Sequence, residues 1–391
     1  MLTESQNTFL NAALEGENIF LTGKAGTGKS YIVKQVIQAL KKEGKQVVAL
    51  APTGIAATNI EGQTIHSFFN VQPFGVIKFE DCRFLKSQKR DIIRKVDTFI
   101  IDEVSMVRPD LLDAINMTMQ KNGCGSLFNK QVILVGDLKQ LPPVADDNTK
   151  SILLGMYSSV QFDSARIFTK IKPKVIELTD VLRQDNPEFI ENLNIVREGG
   201  KSGYFRQFIG KGQKGVILAP YNSTVAKYNK LGLDNIKDEK AYSFDAIIEG
   251  DAKISDLNLE PIINVKHGAK IMYLVNSPNT PLCNGTLGTF IVGKDDNYFI
   301  KVNNIEYPLE IKTFTKKEYI YNEESDEIEL REIGSISQYP FKLAYAISIH
   351  KSQGLTFEEC TIDLTSPCFQ EGQLYVALSR VKTPEGLSII Y

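Results

Sequence analysis

The stretch FLTGKAGTGKS, Phe20 to Ser30, limits the possible folds of this chain more than any other. Ile19, Phe20 and Leu21 form a short apolar run that reads as the end of a buried strand. Ile32, Val33, Val36, Ile37 and Leu40 follow at helical spacing, which predicts a helix beginning near Lys29. Between strand and helix lies a glycine-rich turn. Such a turn folds back so that successive N–H groups point inward at phosphate oxygens. The helix N-terminus adds partial positive charge. Gly23, Ala25, Gly26, Thr27, Gly28, Lys29 and Ser30 are therefore candidate contacts to the phosphates of ATP. Lys29 suits the β- and γ-phosphates, and the Ser30 hydroxyl suits Mg²⁺. Many unrelated proteins use this loop, so the remaining motifs must say which one this is.

Apolar runs alternate with helical stretches through the first part of the chain: NIFLTG, QVVALAP, DTFIIDEV and QVILVGD. This is the rhythm of a parallel α/β sheet with buried strands. A second series reads KVIELT, GVILAP, LAYAISIH, CTIDLT and LSIIY, so two α/β domains are expected, only the first with a phosphate loop. VVALAPTGIAATN and GVILAPYNSTVAKYN share the order strand, Ala-Pro, polar turn, helix, as in a duplicated core. Short alternating runs broken by Asn, Gly and Asp fill 265–338 and read as β-hairpins of a small inserted barrel. The expected division is 1–170 for the first domain, 171–264 with 339–391 for the second, and 265–338 for the insert.

Composition excludes several classes. Hydrophobic content of 42% and charged content of 24% describe an ordinary globular protein. No apolar run approaches the length of a membrane span, and MLTESQNTF resembles no signal or transit peptide. A net charge of −2 does not advertise nucleic-acid binding. Five cysteines without a C-x-x-C pair point to reduced thiols of a cytoplasmic protein, and three histidines are too few for a His-rich metal site.

Asp102 and Glu103 end the run TFIIDEV. A strand that delivers Asp-Glu at its C-terminal end suits Mg²⁺ held through water by Asp102, and an attacking water oriented or deprotonated by Glu103. Gln140 in VGDLKQLPPV lies just past a strand end, placed to sense a γ-phosphate. Arg183 in DVLRQ and Arg380 in VALSRV are expected in the second domain as cations for the transferred phosphoryl group.

GKAGTGKS, APTGIAATNIEGQTIHSFF, IDEVSM, GDLKQLPPV, LRQ, YAISIHKSQGLT and YVALSRV follow in order. Together they resemble the petite-integration-frequency (PIF) family of superfamily 1B DNA helicases, over Gln6 to Tyr391. The resemblance implies two RecA-like parallel-sheet domains forming a P-loop NTPase cleft, with an SH3-like insert in the second and a short wedge insertion near 71–90. It implies a 5′-to-3′ motor on single-stranded DNA that opens duplex or forked DNA. It makes Gln6 the adenine reader and places Gly354 where the DNA and ATP motifs meet. Thr53, His66, Ser67, Phe68, Pro142, Val144, Asn222, His350, Lys351, Ser352 and Thr356 fall in motifs that touch the DNA strand. G-quadruplex and R-loop structures are further expected substrates, with repair, recombination and telomere maintenance as roles. A compact monomeric core from a bacterial or viral host cell, without a membrane partner, is expected.

The wedge segment PFGVIKFEDCRFLKSQKR carries Phe74, Phe79 and Phe84 among cations. These rings suit either strand separation or packing into their own domain. Two departures from the family pattern stand out. FNKQ occupies Phe128 to Gln131 in place of a usual Phe-Gly-Gly ending, and Tyr221 stands between Pro220 and Asn222 where a threonine is usual. A non-motor ATPase explains neither HKSQGLT nor ALSRV. A RecD-like or conjugative helicase subunit, or a translocase that does not unwind alone, is the nearer alternative.

Overall fold

The computed structural model describes residues 2–72, 75–237, 240–257 and 259–391. They group into two units: Met1–Arg183 with Lys317–Ile333, and Gln184–Lys316 with Gly334–Tyr391. The first unit runs α1 (Glu4–Leu14), β1 (Ile19–Gly23), α2 (Lys29–Lys42), β2 (Val47–Ala51), α3 (Gly54–Asn59), β3 (Gln63–Thr64), α4 (Ile65–Phe69), α5 (Ser87–Lys95), β4 (Thr98–Ile101), α6 (Pro109–Lys121), β5 (Gln131–Val135), α7 (Asp147–Met156) and β6 (Lys174–Leu178). Its six strands order as β3-β2-β4-β5-β1-β6, every neighbouring pair parallel. The strands read as continuous apolar runs because both faces are covered. Val48, Leu50, Phe99, Ile101, Val132 and Leu134 feed one core, and Val47, Ala49, Ile100, Ile133 and Val135 feed the other. α2 buries Ile32, Val33, Val36 and Leu40 against the second core. Each such side chain contributes about 1.5–3 kcal/mol relative to exposure.

The run KVIEL, expected to open the second domain, is instead an edge strand of the first sheet. β6 pairs with β1 from Ile19↔Lys174 to Gly23↔Leu178. Its alternation buries Ile176 and Leu178 and exposes Val175 and Glu177. That pattern fits the edge of either sheet, and only a pairing remote in sequence decides between them.

The second unit contains α8 (Pro187–Arg197), β7 (Val216–Ala219), α9 (Asn222–Asp234), β8 (Ala241–Asp245), β9 (Ile247–Gly250), α10 (Ile254–Leu257), β10 (Ile262–Lys266), β11 (Lys270–Tyr273), β12 (Leu287–Val292), β13 (Tyr298–Val302), β14 (Ile305–Pro308), β15 (Lys312–Asn322), β16 (Glu327–Gln338), β17 (Phe341–Leu343), β18 (Ala346–Ser348), β19 (Cys360–Asp363), α11 (Gln373–Leu378) and β20 (Leu387–Ile390). A parallel sheet, β18-β7-β19-β20, is its α/β part. The antiparallel part begins at β8, well before 265, because β8 pairs with β10. A five-stranded sheet, β14-β13-β12-β11-β17, follows. Phe244, Phe290, Tyr298, Tyr339 and Phe341 pack ring to ring in this part, with Phe244 and Tyr339 centroids 4.6 Å apart.

β15 and β16 divide between the units: the distal part of their hairpin, Lys317–Ile333, groups with the first unit and the rest with the second. The reason lies in β2. β3 pairs only with Leu50 and Ala51, and the Tyr319 hydroxyl accepts the Ala49 N–H at 2.9 Å. Gln63 Oε1 accepts from Tyr319 N at 3.2 Å, and Gln46 Oε1 accepts from Ile328 N at 2.7 Å. Tyr319 packs edge-on against Phe68, and burial pushes its phenol up to about 12.

Candidate active site

The phosphate loop follows β1, and its last glycine is the N-cap of α2 in the left-handed region (φ 80°). The left-handed φ favours glycine there, and a Cβ at Gly28 would press on Gln6 Nε2 at 3.0 Å. Lys29 Nζ donates to Gly23 O at 2.6 Å and to Lys24 O at 3.0 Å. These bonds hold the ammonium under the loop. Thr27 Oγ1 donates to Lys24 O at 2.9 Å and braces the same turn. Ser30 is exposed on the first turn of α2.

Gln6 ties α1 to this loop. Its side-chain oxygen accepts from Thr3 N at 3.1 Å, completing a capping box, and Nε2 donates to Thr27 O at 3.4 Å. An amide carries two donors and two acceptor sites, so these bonds leave capacity for a further partner.

Sheet order decides which acids face Lys29. β5 neighbours β1, and β4 lies one strand beyond, so groups at their C-terminal ends converge at spacings near ~4.8 Å per strand. Burial lowers the Lys29 pKa. Asp137, then Glu103, then Asp102 oppose that fall, and Arg183 adds to it. Asp137 leads because β5 is the nearer strand. It is buried, its Oδ1 accepts from Lys139 N at 3.1 Å, and its Oδ2 accepts from Gln140 Nε2 at 3.3 Å. Asp137 is a candidate site residue that the sequence reading did not name. It sits inside the quoted motif GDLKQ, beside the Gln140 chosen there.

Asp102 ends β4 and accepts from Glu103 N at 2.9 Å. Burial, then the Glu103 charge, pushes its carboxyl up to about 7. Glu103 holds a left-handed backbone (φ 49°, ψ 41°), uncommon outside glycine and asparagine. That turn re-aims the chain into the 3-10 segment Val104–Met106. Gly136 lets this segment pass close, since a Cβ there would meet Val104 and Ser105 backbone nitrogens at 3.1 Å.

Mg²⁺ in phosphate-loop sites takes few protein ligands and completes its shell with water and phosphate. Ser30 and Asp102 fit that donor set, because a divalent cation offsets both the burial of Asp102 and the repulsion from Glu103. Among the described residues, no cluster of three or more His, Cys, Asp or Glu forms a separate metal cage.

Arg183 belongs to the first unit, not the second as expected. The neighbouring Leu182 N donates to Gly26 O at 2.8 Å, which brings the segment after β6 onto the phosphate loop. Arg380 lies in the second unit and is 2% exposed. Its guanidinium donates to Val376 O at 2.8 Å, to Leu355 O at 3.2 Å and to Ser379 Oγ at 2.8 Å. It thereby joins α11 to the turn at Gly354, which itself has φ 81°.

The expected DNA residues divide by burial. Ser67, Val144, Asn222 and Lys351 are exposed, and Thr53, His66, Pro142, His350 and Thr356 are half-buried. Thr53 Oγ1 accepts from Ala56 N at 3.3 Å as the N-cap of α3. Ser67 Oγ accepts from Gln63 Nε2 at 2.8 Å. Burial, then Arg108, lowers the pKa of His66, which favours its neutral form.

Phe68 and Ser352 are corrections. Phe68 is fully buried, with edge-on contacts to Phe69, Phe99 and Tyr319, because α4 turns this face into the core. Ser352 is also fully buried, and its hydroxyl donates to Ile349 O at 2.7 Å. Neither side chain is available to a nucleic acid.

In the wedge segment Ile77, Cys82 and Leu85 pack into the core, while Phe79 and Phe84 are exposed. Lys121 Nζ lies 5.1 and 5.3 Å from the centroids of these two rings. Phe74 falls outside the described residues.

The family model of PIF1-like helicases matches residues 1–203. The chain is 29% identical to the ATP-dependent DNA helicase Pif1 of Campylobacter jejuni, over 97% of this chain and 90% of that protein. It is 34% identical to the Pif1 of a Bacteroides species solved in complex with ADP-AlF4, with a TM-score of 0.88 over 100% of this chain and 92% of that one. The same Bacteroides protein bound to single-stranded DNA matches over the same shares with a TM-score of 0.70. On this sequence evidence and this fold, the chain belongs to the PIF1-like helicases.

Proposed function

We propose that this chain is an ATP-dependent DNA helicase that translocates 5′ to 3′ on single-stranded DNA and opens duplex or forked DNA. The observation that carries it is the order β4-β5-β1, which sets Asp137, Glu103 and Asp102, just past the ends of β5 and β4, beside the loop-held Lys29. This is the charge pattern of nucleotide hydrolysis, in a chain of helicase kin.

Lys29 and Arg183 offset charge on the transferred phosphoryl group, and such cations are worth on the order of 10³–10⁵ in rate. Glu103 orients the attacking water and accepts its proton. Asp137 and Gln140 hold each other just past β5, and Gln140 is assigned to sense the γ-phosphate. Ser30, and Asp102 through water, would hold Mg²⁺, which would supply neutralisation of phosphate charge. Arg380 is assigned to the same hydrolysis. Ser67, Asn222, His350 and Lys351 are assigned to the DNA strand, where hydroxyl, amide and cationic groups position phosphates. Phe79 and Phe84 are assigned to strand separation. The reading extends to G-quadruplex and R-loop substrates, a monomeric motor, roles in repair, recombination and telomere maintenance, and action in the cytoplasm of a bacterial or virus-infected cell.

Unwinding of a labelled partial duplex with either a 5′ or a 3′ tail, with ATP and Mg²⁺, tests this. Unwinding from the 5′ tail alone is expected. Unwinding from the 3′ tail alone overturns the polarity. DNA-stimulated hydrolysis without unwinding replaces the helicase by a translocase.

A further inference from the structure

Three rings of the second unit meet at one surface, His350 of the DNA motifs and two rings, Tyr221 and Phe369, not yet assigned a role. Tyr221 and Phe369 lie with centroids 5.0 Å apart at 36°, and His350 stacks on Phe369 at 5.8 Å and 17°. Phe369 is 51% exposed and Tyr221 36% exposed. Large aromatic rings side by side in water forgo burial, which contributes much of their usual stabilisation. The pair is nevertheless held firmly. Gln373 is fully buried, its Oε1 accepts from Phe369 N at 3.0 Å, and its Nε2 donates to Pro220 O at 3.3 Å. One buried amide thus clamps the loop carrying Phe369 to the loop carrying Tyr221. His350 Nε2 lies 2.8 Å from Gln370 Oε1, an acceptor, which fixes the imidazole plane against Phe369.

We infer that Tyr221 and Phe369 form a stacking shelf for an unpaired nucleobase of single-stranded DNA. This inference rests on the DNA-motor reading above. Unpaired bases present π-faces that stack on aromatic rings whatever their sequence, and paired bases inside a duplex do not. The flanking groups suit the backbone of the same strand. Lys351 is exposed next to His350, and its charge adds to the burial that pulls Lys342 down to about 8. Two cations this close are better tolerated beside phosphates. Asn222, exposed on the first turn of α9, follows Tyr221 directly. Phosphate contacts there set position, and the shelf makes the grip selective for unstacked bases. Tyr221 occupies the place where the family pattern usually has a threonine, so the shelf is a property of this chain's own side chains.

The chain contains no tryptophan, so Phe369→Trp creates a single reporter at the shelf. Mixing this variant with oligothymidylate is expected to quench its fluorescence. An abasic oligonucleotide of equal length and charge is expected to leave it unchanged. Wild-type protein is expected to bind the abasic strand about 5- to 150-fold more weakly than the intact strand. Phe369→Ala is expected to bind both strands alike, with an unchanged salt dependence because phosphate contacts remain. Equal quenching by both strands, or an undiminished preference for bases in Phe369→Ala, overturns the shelf while leaving the motor intact. Absence of binding to either strand by wild-type protein removes the motor reading itself. Thermal melting of both variants separates loss of the shelf from loss of fold.

Discussion

The two parallel sheets carry the same local plan and use it oppositely. In the first unit, β2 ends in Ala51-Pro52 and Thr53 caps α3 through its hydroxyl. In the second, β7 ends in Ala219-Pro220 and Tyr221 occupies the cap position of α9 with no side-chain cap bond. A cap contributes about 1 kcal/mol, and Tyr221 forgoes it for a ring contact with Phe369. Away from these turns the contrast widens. The first unit gathers acids around Lys29, whereas the second sets Tyr221 and Phe369 side by side at its surface. A shared backbone plan thus leaves the chemistry to a few side chains at the strand ends, as fold-level arguments anticipate.

The largest expected effect divides the roles most sharply. Lys29→Ala should abolish ATP hydrolysis, a loss of at least about 10³-fold, with single-stranded DNA affinity within about twofold of wild type. A parallel collapse of DNA affinity, read by fluorescence anisotropy, would break the separation of hydrolysis from DNA grip. Arg380→Ala probes the same boundary from the other side. It should lower turnover by about 10³-fold while sparing nucleotide binding. Its guanidinium also satisfies Val376 O and Leu355 O, so melting must accompany the kinetics. Wild-type turnover in a folded variant removes Arg380 from hydrolysis.

Phe68→Ala comes next. The ring is fully buried among Phe69, Phe99 and Tyr319, so truncation should cost about 3–5 kcal/mol in urea unfolding. DNA affinity of the folded fraction should not change; weakened binding would restore Phe68 to the DNA path. The smallest effect is expected for Tyr221→Thr. A regained cap of about 1 kcal/mol offsets a lost ring contact of about 0.5–1.5 kcal/mol. Net stability should therefore stay within about 1 kcal/mol, and a larger loss would mean that the ring packs for structure.

What could be read beforehand followed a physical pattern. β1, β2, β4 and β5 were legible because central parallel strands are apolar on both faces, and their ends delivered Lys29, Asp102 and Glu103 without further information. β6 was assigned to the wrong sheet because an edge strand with one buried face carries no mark of its partner, and Arg183 was misassigned with it. Asp137 escaped because only the order β4-β5-β1 reveals that β5 is nearer the phosphate loop. Phe68 and Ser352 were misread because a motif names positions, not which way a short helix or turn faces. Phe369 lies in no motif at all, and only the Gln373 clamp brings it beside Tyr221.

The hairpin tip that reaches Ala49 has a consequence for synthesis. The first unit's main segment ends at Arg183, yet its last piece, Lys317–Ile333, lies about 150 residues further on. At roughly 5–20 residues per second on a ribosome, that interval lasts about 8–30 s. Throughout it, the Ala49 N–H and the Gln63 and Gln46 side-chain amides await partners that have not been made. The nascent first unit therefore passes through a long-lived, incompletely sealed stage, with one flank of β2 open to water or a chaperone. Only after most of the second unit has emerged does the chain return to close the unit that it began.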